Sequence, residues 1–93
     1  MIKNVRKRDG RLVEFEVDKI AGALYKAFGA CYDKVDLKKV YAIAHDVEKR
    51  LEDNESTFPT VELVQDTVEE ILIEEGYVRV AKAYILYRDK RSR

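Results

Sequence analysis

The sequence predicts an α+β fold in which an N-terminal β-hairpin precedes four amphipathic helices. The segment from Lys3 to Val17 alternates apolar and polar residues around the turn sequence Arg8-Asp9-Gly10, which is typical of two antiparallel strands. The remainder of the chain repeats apolar residues at intervals of three and four, the spacing of a buried helical stripe. At 93 residues, we expect residues 1–93 to form one small domain.

The hairpin is predicted to consist of strands from Lys3 to Lys7 and from Arg11 to Val17. A two-residue loop would divide the apolar residues between the two faces of the hairpin. A three-residue loop with Gly10 at positive φ instead places them all on one face. These inward residues are Val5, Val13, Phe15 and Val17. Lys7 then shares their face, and a lysine that points toward a core needs an anion or a path to water.

The four helices have capping and stop signals at most of their predicted ends. The first helix is predicted to run from Asp18 to Gly29, and the second starts at its cap, Asp36. The third has Thr60 as N-cap and stops at Gly76, and the fourth runs from Tyr77 to Lys90. Each helix carries an apolar stripe that we expect to be buried. The stripes are Ile20, Leu24, Ala27 and Phe28; Leu37, Val40, Ala44, Val47 and Leu51; Val61, Val64, Val68, Ile71 and Leu72; and Tyr77, Val80, Ala81 and Tyr84 with Tyr87 or Ile85.

Charged residues are segregated along the chain, although the 18 basic and 18 acidic side chains cancel in number. Four cations lie in or beside the predicted hairpin turn, namely Arg6, Lys7, Arg8 and Arg11. Lys19 follows in the first turn of the first helix. Cations at a hairpin and at a helix start can converge on one polyanion, so a phosphate-bearing ligand is the leading hypothesis.

The residues that usually carry catalysis or metal binding do not form a recognisable pattern. Cys31 and His45 are the single residues of their types, so they cannot build a structural zinc site, and we expect Cys31 to be buried. Neither common glycine-rich phosphate loop is present. The pairs Glu69-Glu70 and Glu74-Glu75 are predicted to form a solvated helix face and not an acid–base pair. With no apolar run of membrane-spanning length and no signal peptide, we expect a cytoplasmic protein without membrane contact.

Four groups of residues resemble the ATP-cone domain family, in order and at the family's spacing. They are Val5-x-Lys7-Arg8-Asp9-Gly10; Phe15-x-x-Asp18-Lys19-Ile20; Thr60 with Gln65-Asp66-x-Val68-Glu69; and Ala81-x-Ala83-Tyr84-Ile85-x-Tyr87-Arg88. The resemblance implies a four-helix bundle capped by the hairpin or by a small three-stranded sheet. It also implies an N-terminal regulatory module of ribonucleotide reductases without its own catalytic site. In that family ATP permits activity and dATP stops it.

The resemblance further implies where the nucleotide binds. Lys7 and Arg8 correspond to the hairpin cations that contact it, and Lys19 corresponds to the helix lysine that holds its phosphates. Lys90 lies where some members have a basic phosphate contact. We expect Mg²⁺ only as the counter-ion of the bound nucleotide, because a polyphosphate needs more neutralisation than a few cations supply.

Two further positions correspond to family residues beside the base: Val5 is the apolar one and Thr60 lies at a helix start. One position departs from the pattern. Family members often have glutamate three residues after the turn glycine, where this chain has Val13 followed by Glu14. The sequence therefore leaves the preference between ATP and dATP open.

Two functional hypotheses of different classes follow. The first is an allosteric sensor of ATP or dATP that partners the catalytic portion of a ribonucleotide reductase, with homo-oligomers as one outcome. The stretch from Glu75 to Arg88 looks most like the anaerobic and adenosylcobalamin-dependent reductases. The second hypothesis is a small nucleic-acid-binding module or nucleotide-responsive transcriptional regulator that uses the basic hairpin and tail. Because the chain ends at Arg93, we expect either the regulatory domain of a larger enzyme or a free-standing cone protein.

Overall fold

The computed structural model of this chain describes residues 4–53 and 59–91, except for the side chains of residues 90 and 91. Two strands and four helices follow one another in these ranges. They are β1 (Asn4–Arg6), β2 (Leu12–Glu14), α1 (Val17–Cys31), α2 (Leu37–Asp53), α3 (Val61–Glu74) and α4 (Val78–Arg91). This order confirms the predicted α+β class, a helical bundle with a hairpin at its N-terminus.

The hairpin has the predicted three-residue loop. Val5 pairs with Val13 across the antiparallel strands. The Lys7 N–H donates to the Arg11 carbonyl at 2.8 Å, the Gly10 N–H donates to the Lys7 carbonyl at 2.9 Å, and Gly10 has a φ of 88°. Only glycine adopts this conformation without strain, so this residue determines the register that places the valines on one face.

The second strand is shorter than predicted, because it ends at Glu14 and α1 already begins at Val17. Its described partner β1 offers only three residues for pairing, and the chain beyond them turns into the bundle. Lys3, the predicted start of the first strand, lies outside the described residues. Arg6 also forms a single parallel bridge with Thr60, and its N–H donates to the Pro59 carbonyl at 2.9 Å. This bridge joins the hairpin to the start of α3 but leaves a two-stranded sheet.

The four helices pack as a ring in which each contacts two neighbours. α1 packs against α2 and α4, and α3 packs against the same two helices from the other side. The cluster of buried residues at the centre comes entirely from the helices. It comprises Ala21, Leu24, Ala27, Phe28, Val40, Ile43, Ala44, Val47, Leu51, Val68, Ile71, Leu72, Val80, Ala81 and Tyr84. None of the helices in the described ranges is long and apolar enough to cross a membrane.

Three predicted helix signals are confirmed. The Thr60 hydroxyl accepts the Leu63 N–H at 3.1 Å and caps α3, while the Asp36 carboxylate accepts the Lys38 N–H at 3.0 Å before α2. Gly76, with a φ of 86°, ends α3 in a pattern where the Tyr77 N–H donates to the Leu72 carbonyl at 2.8 Å. These local hydrogen bonds satisfy backbone groups that a helix end leaves without partners.

The boundaries predicted for α1 and α4 were wrong by one to two residues. Asp18 is not the cap of α1, because the cap position is Glu16, and no side-chain hydrogen bond caps the helix there. The Asp18 carboxylate instead accepts the Tyr41 hydroxyl of α2 at 3.2 Å. α1 continues past Gly29, since helical hydrogen bonding extends to Tyr32. α4 begins at Val78 because Tyr77 belongs to the α3 termination motif.

Some stripe positions are less buried than predicted. Leu37, in the first turn of α2, is 55% exposed. Val61 and Val64 are only half-buried because they line a cavity beneath the hairpin. Thr67 takes a buried position on α3, where its hydroxyl donates to the Leu63 carbonyl at 2.7 Å. Cys31 is likewise half-buried at the edge of the helical core, not fully buried.

Candidate functional site

A cavity of about 380 Å³ lies between the hairpin and the helical bundle. It is lined by residues of the hairpin and its connection to α1, and by residues of α1, α3 and α4. These are Val5, Lys7, Val13, Glu14, Phe15, Glu16, Lys19, Ile20, Ala23, Val61, Val64, Gln65, Tyr84, Tyr87 and Arg88. Its volume is within the range of small-molecule and cofactor sites, and the cavity brings together residues that are far apart in the sequence.

Three cations approach the cavity from three different elements. Lys7 comes from the hairpin, Lys19 from the first turn of α1 and Arg88 from α4. The Lys19 ammonium lies 2.9 Å from the carboxylate of Glu16 and is largely exposed. In the described part of the chain, no carboxylate forms an ion pair with Lys7. Positive charge that converges from separate elements is suited to an anion that all of them contact.

The remaining wall is largely apolar and aromatic. Val5 is buried beneath the hairpin, while Phe15 and Ile20 pack half-buried against the helical core. Burial raises the pKa of the Tyr84 hydroxyl to about 12, so this side chain is neutral at physiological pH. Tyr87 completes the aromatic side and lies beneath Lys26, whose ammonium is 5.1 Å from the ring centre. The cavity therefore combines apolar and aromatic area with cations.

A second, smaller cavity of about 290 Å³ adjoins the first and shares Lys7, Val61 and Gln65 with it. Arg8 belongs to this smaller cavity, where its Nε lies 2.7 Å from the Glu62 carboxylate of α3. The hydrogen bond from Arg8 holds the pKa of Glu62 below its usual value of 4.5. This contact connects the hairpin turn to α3.

The predicted site residues are only partly brought together. Val5, Lys7 and Lys19 line the main cavity, as does the position of the family departure, Val13. Arg8 lies in the adjoining cavity. Thr60 lines neither cavity, and its hydroxyl caps α3. The side chain predicted at position 90 lies outside the described residues. The next residue of β2, Glu14, also lines the cavity, so a carboxylate is present one position later than in the family pattern.

Sequence reasoning missed several cavity residues, among them the polar or charged Glu16, Gln65 and Arg88. Gln65 and Arg88 occur in the matching motifs and Glu16 does not, and no local signal shows that the three face the same space. The prediction of a solvated face was wrong for Glu69, which is only 20% exposed and contacts the Arg88 guanidinium through Oε1. Helix packing brings Arg88 of α4 next to Glu69 of α3, and this contact cannot be read from the sequence.

Comparison of the sequence with known proteins identifies a family that covers nearly the whole chain. The family profile described as the ATP cone domain matches residues 3–93. The chain is 44% identical over 96 residues to the vitamin B12-dependent ribonucleoside-diphosphate reductase of Thermoplasma acidophilum, covering 98% of this chain and 12% of the relative. Against the enzyme of that name from Mycobacterium tuberculosis it is 37% identical over 90 residues, covering 95% and 12%.

A third relative is the ribonucleoside-diphosphate reductase subunit alpha of Chlamydia trachomatis. It is 34% identical to this chain over 100 residues, which cover 97% of this chain and 10% of the relative. The chain thus spans only 10% to 12% of the length of these three relatives. The family profile and the relatives cover nearly every residue, and the chain belongs to the ATP cone domain family.

Proposed function

We propose that this chain is an allosteric regulatory domain that binds ATP or dATP in the main cavity and thereby controls the overall activity of a cytoplasmic ribonucleotide reductase. The observation that carries the proposal is the cavity itself. It unites Lys7 of the hairpin and Lys19 of α1 with the aromatic wall of α4, in a chain of the ATP cone domain family. The relatives named above are reductases, which supports a catalytic portion of such an enzyme as the partner.

The two chemical parts of a nucleotide match two parts of the cavity. Lys7 and Lys19 supply charge-assisted hydrogen bonds for the phosphates. The apolar residues beneath the hairpin and the tyrosines of α4 supply area against which a base can pack. In this proposal Val5 and Thr60 lie on the base side, and Arg8 and Lys90 add positive charge at the edge of the site.

Magnesium enters this proposal as the companion of the nucleotide. Glu14 and Glu16 line the cavity, and carboxylate oxygens are ligands that Mg²⁺ accepts. Carboxylates beside a polyphosphate are tolerated when a divalent cation reduces the repulsion between them. A bound Mg²⁺ would neutralise phosphate charge, and the two glutamates are the residues of this chain that would approach it.

The domain is proposed to regulate chemistry without performing it. His45 lies on α2, away from the cavity, and its Nδ1 is 3.8 Å from Glu48. The cavity residues offer cations, carboxylates, tyrosines and one amide, which are binding groups for a nucleotide. Catalysis is then the task of the remaining part of the enzyme.

The regulatory step requires that ATP and dATP favour different arrangements, although they differ by one hydroxyl. A ligand that bound both arrangements equally would shift neither. The hairpin is the element that can respond, since it joins the bundle through few contacts, among them the Arg6–Pro59 hydrogen bond and the Arg8–Glu62 ion pair. We propose that nucleotide orders the hairpin against α3, and that the two nucleotides give different assemblies of the intact enzyme.

Isothermal titration calorimetry of the 93-residue chain tests the binding proposal. ATP, dATP, GTP and a short DNA duplex are titrated separately in Mg²⁺ buffer at moderate salt. We expect saturable binding of both adenine nucleotides, weaker binding of GTP and no saturable binding of the duplex. Light scattering of the intact enzyme with saturating ATP or dATP then tests regulation. Binding of the duplex in preference to ATP would instead support the nucleic-acid hypothesis.

A further inference from the structure

Arg88 occupies two environments at once. It lines the main cavity, and it is also surrounded by three carboxylates. Its Nη1 contacts Glu69 Oε1 and lies 3.8 Å from Asp66 Oδ1, while its Nε lies 3.7 Å from Asp89 Oδ1. The side chain is only 25% exposed, so the guanidinium is largely enclosed between α3, α4 and the cavity.

Glu69 is the most buried of these carboxylates. Its Oε1 atom is inaccessible to solvent, and in the described structure the Arg88 guanidinium is the only donor group that it contacts. A buried carboxylate that loses its cation is left with an uncompensated charge, which is strongly unfavourable. Glu69 does not line the cavity, whereas Arg88 does. The guanidinium therefore stands between a buried negative charge and the space that a ligand would occupy.

This arrangement differs from that of the two lysines of the cavity. Lys7 and Lys19 are exposed side chains on flexible stems. Arg88 is held by the largely enclosed Glu69, and its single positive charge also lies within 4 Å of the exposed carboxylates of Asp66 and Asp89. These carboxylates repel an anion in the cavity, and the positive charge of Arg88 offsets that repulsion.

We infer that Arg88 is a specificity-determining residue of the main cavity, which makes its α3–α4 wall compatible with a phosphate-bearing ligand, and that Glu69 limits how much of the Arg88 charge reaches that ligand. The inference rests on the proposed function, because it assumes that the ligand is an anion. It predicts that the two members of this ion pair have opposite effects on the affinity for an anion. Removing the cation weakens anion binding, and removing the buried carboxylate strengthens it.

The test is calorimetric titration of MgATP and, separately, of inorganic tripolyphosphate into the 93-residue chain. The variants are Arg88→Gln, Glu69→Gln and the double variant. Lys82→Gln on α4 and Glu70→Gln on α3 serve as charge-matched controls, because both side chains are exposed outside the cavity. We expect Arg88→Gln to weaken binding of both probes by about tenfold or more. Glu69→Gln should tighten it by roughly twofold or more, since a nearby repulsive charge is gone.

The double variant provides the sharpest comparison, because it removes both charges of the pair. It should bind more tightly than Arg88→Gln and less tightly than Glu69→Gln, and the two controls should stay within about twofold of the wild type. Thermal unfolding followed by circular dichroism checks that each variant is folded. If Arg88→Gln does not fold, Arg88→Lys replaces it. That variant keeps the charge but loses the planar fork, so it should bind severalfold more weakly than the wild type.

Two results would overturn the inference while leaving nucleotide binding intact. Arg88→Gln, or its lysine replacement, could bind both probes as the wild type does. Alternatively, Glu69→Gln could weaken binding as much as the Arg88 change, which would show that the pair only holds α3 against α4. A wild-type chain that binds neither probe would refute the proposed function, and the assignment of Arg88 with it.

Discussion

The interior of the helical bundle and the seam beneath the hairpin are built in different ways. The bundle interior is a continuous cluster of buried side chains from all four helices. The hairpin has one buried apolar side chain in its described strands, Val5, while Val13 on the opposite strand is half-buried. Its other connections to the bundle within the described residues include the Arg6–Pro59 hydrogen bond and the Arg8–Glu62 ion pair.

This difference shows how a small domain can be stable and still change its structure when a ligand binds. Apolar burial supplies most of the stability of a fold, so the free energy of unfolding should depend mainly on the bundle. The seam has few contacts of its own, and regions of low contact density open most easily. A ligand in the seam adds contacts where the protein has fewest, and so it can order the hairpin without repacking the core.

The largest expected effect is on stability and concerns the interior of the helical bundle. Replacing the buried Leu72 by alanine should lower the free energy of unfolding by about 2–5 kcal/mol, because it removes packed apolar atoms and leaves a cavity. The matched control is Leu86→Ala on α4, where the side chain is 68% exposed and little should change. Urea unfolding measures both. Equal losses of unfolding free energy in the two variants would contradict the assignment of Leu72 to the core and of Leu86 to the surface.

The second expected effect concerns Tyr84, which belongs to both regions. Because the pKa of its hydroxyl is raised by burial from 10.0 to about 12 in the folded state, its stabilisation is complete below pH 10. It is lost as the pH rises from 10 through 12, and the loss is on the order of 2–3 kcal/mol. Urea unfolding of the wild type and Tyr84→Phe at pH 8 and pH 11 measures the roughly half of this loss that has occurred by pH 11.

Lysines and other tyrosines titrate in both proteins, so only the difference between the two pH profiles reports on Tyr84. We expect the wild type to lose more stability than Tyr84→Phe between pH 8 and pH 11. Parallel profiles would mean that the hydroxyl reaches solvent in the folded state.

The third effect is on the seam and concerns ligand affinity more than stability. Lys7→Ala and Lys19→Ala should each weaken ATP binding by about tenfold or more, because each removes a charge-assisted phosphate contact worth on the order of 1.5–3 kcal/mol. Unfolding free energies should change little, since both side chains are exposed. Calorimetry measures the affinity, with Lys82→Ala as the control for a lost exposed charge. Wild-type ATP affinity in both variants would show that these lysines are not part of the binding site.

The smallest effect concerns the connection between the hairpin and α3. Glu62→Gln should leave global stability almost unchanged but speed amide exchange at Arg6, whose N–H donates to Pro59, by roughly twofold to fivefold. Because Arg8 lowers the pKa of Glu62 below 4.5, the contribution of this pair is present above pH 4.5. It is lost as the pH falls through the lowered pKa.

Hydrogen exchange followed by NMR measures this local opening, and Glu70→Gln is the control for a glutamate on the same helix. Saturating ATP should slow exchange at Arg6 in both variants if the ligand orders the hairpin. An effect spread over the whole bundle would instead show that the hairpin and the bundle unfold as one unit.

Features that depend on residues close together in the sequence could be predicted from the sequence. The three-residue loop with Gly10, the Thr60 cap and the Gly76 stop each rest on a conformation or hydrogen bond within a few residues. The register that this loop imposes places Lys7 on the same face as Val5, and its exposed side chain lines the cavity. The family was also recognisable, because its motifs run in order through the chain. The nucleotide-contacting roles carried over from that resemblance stay predictions.

Only the tertiary structure decided which distant residues share the cavity wall. The pairing of Arg88 with Glu69, the exposure of Leu37 and the partial burial of Val64 all depend on how the helices are rotated against one another. An amphipathic stripe indicates which face of a helix is apolar, but it does not show whether that face meets another helix or a cavity. The sequence by itself therefore determined the number and order of the elements and those ends that a local cap or glycine marks, such as Thr60 and Gly76. Packing among α1, α3, α4 and the hairpin determined the site, because contacts between residues far apart in the chain leave no local pattern.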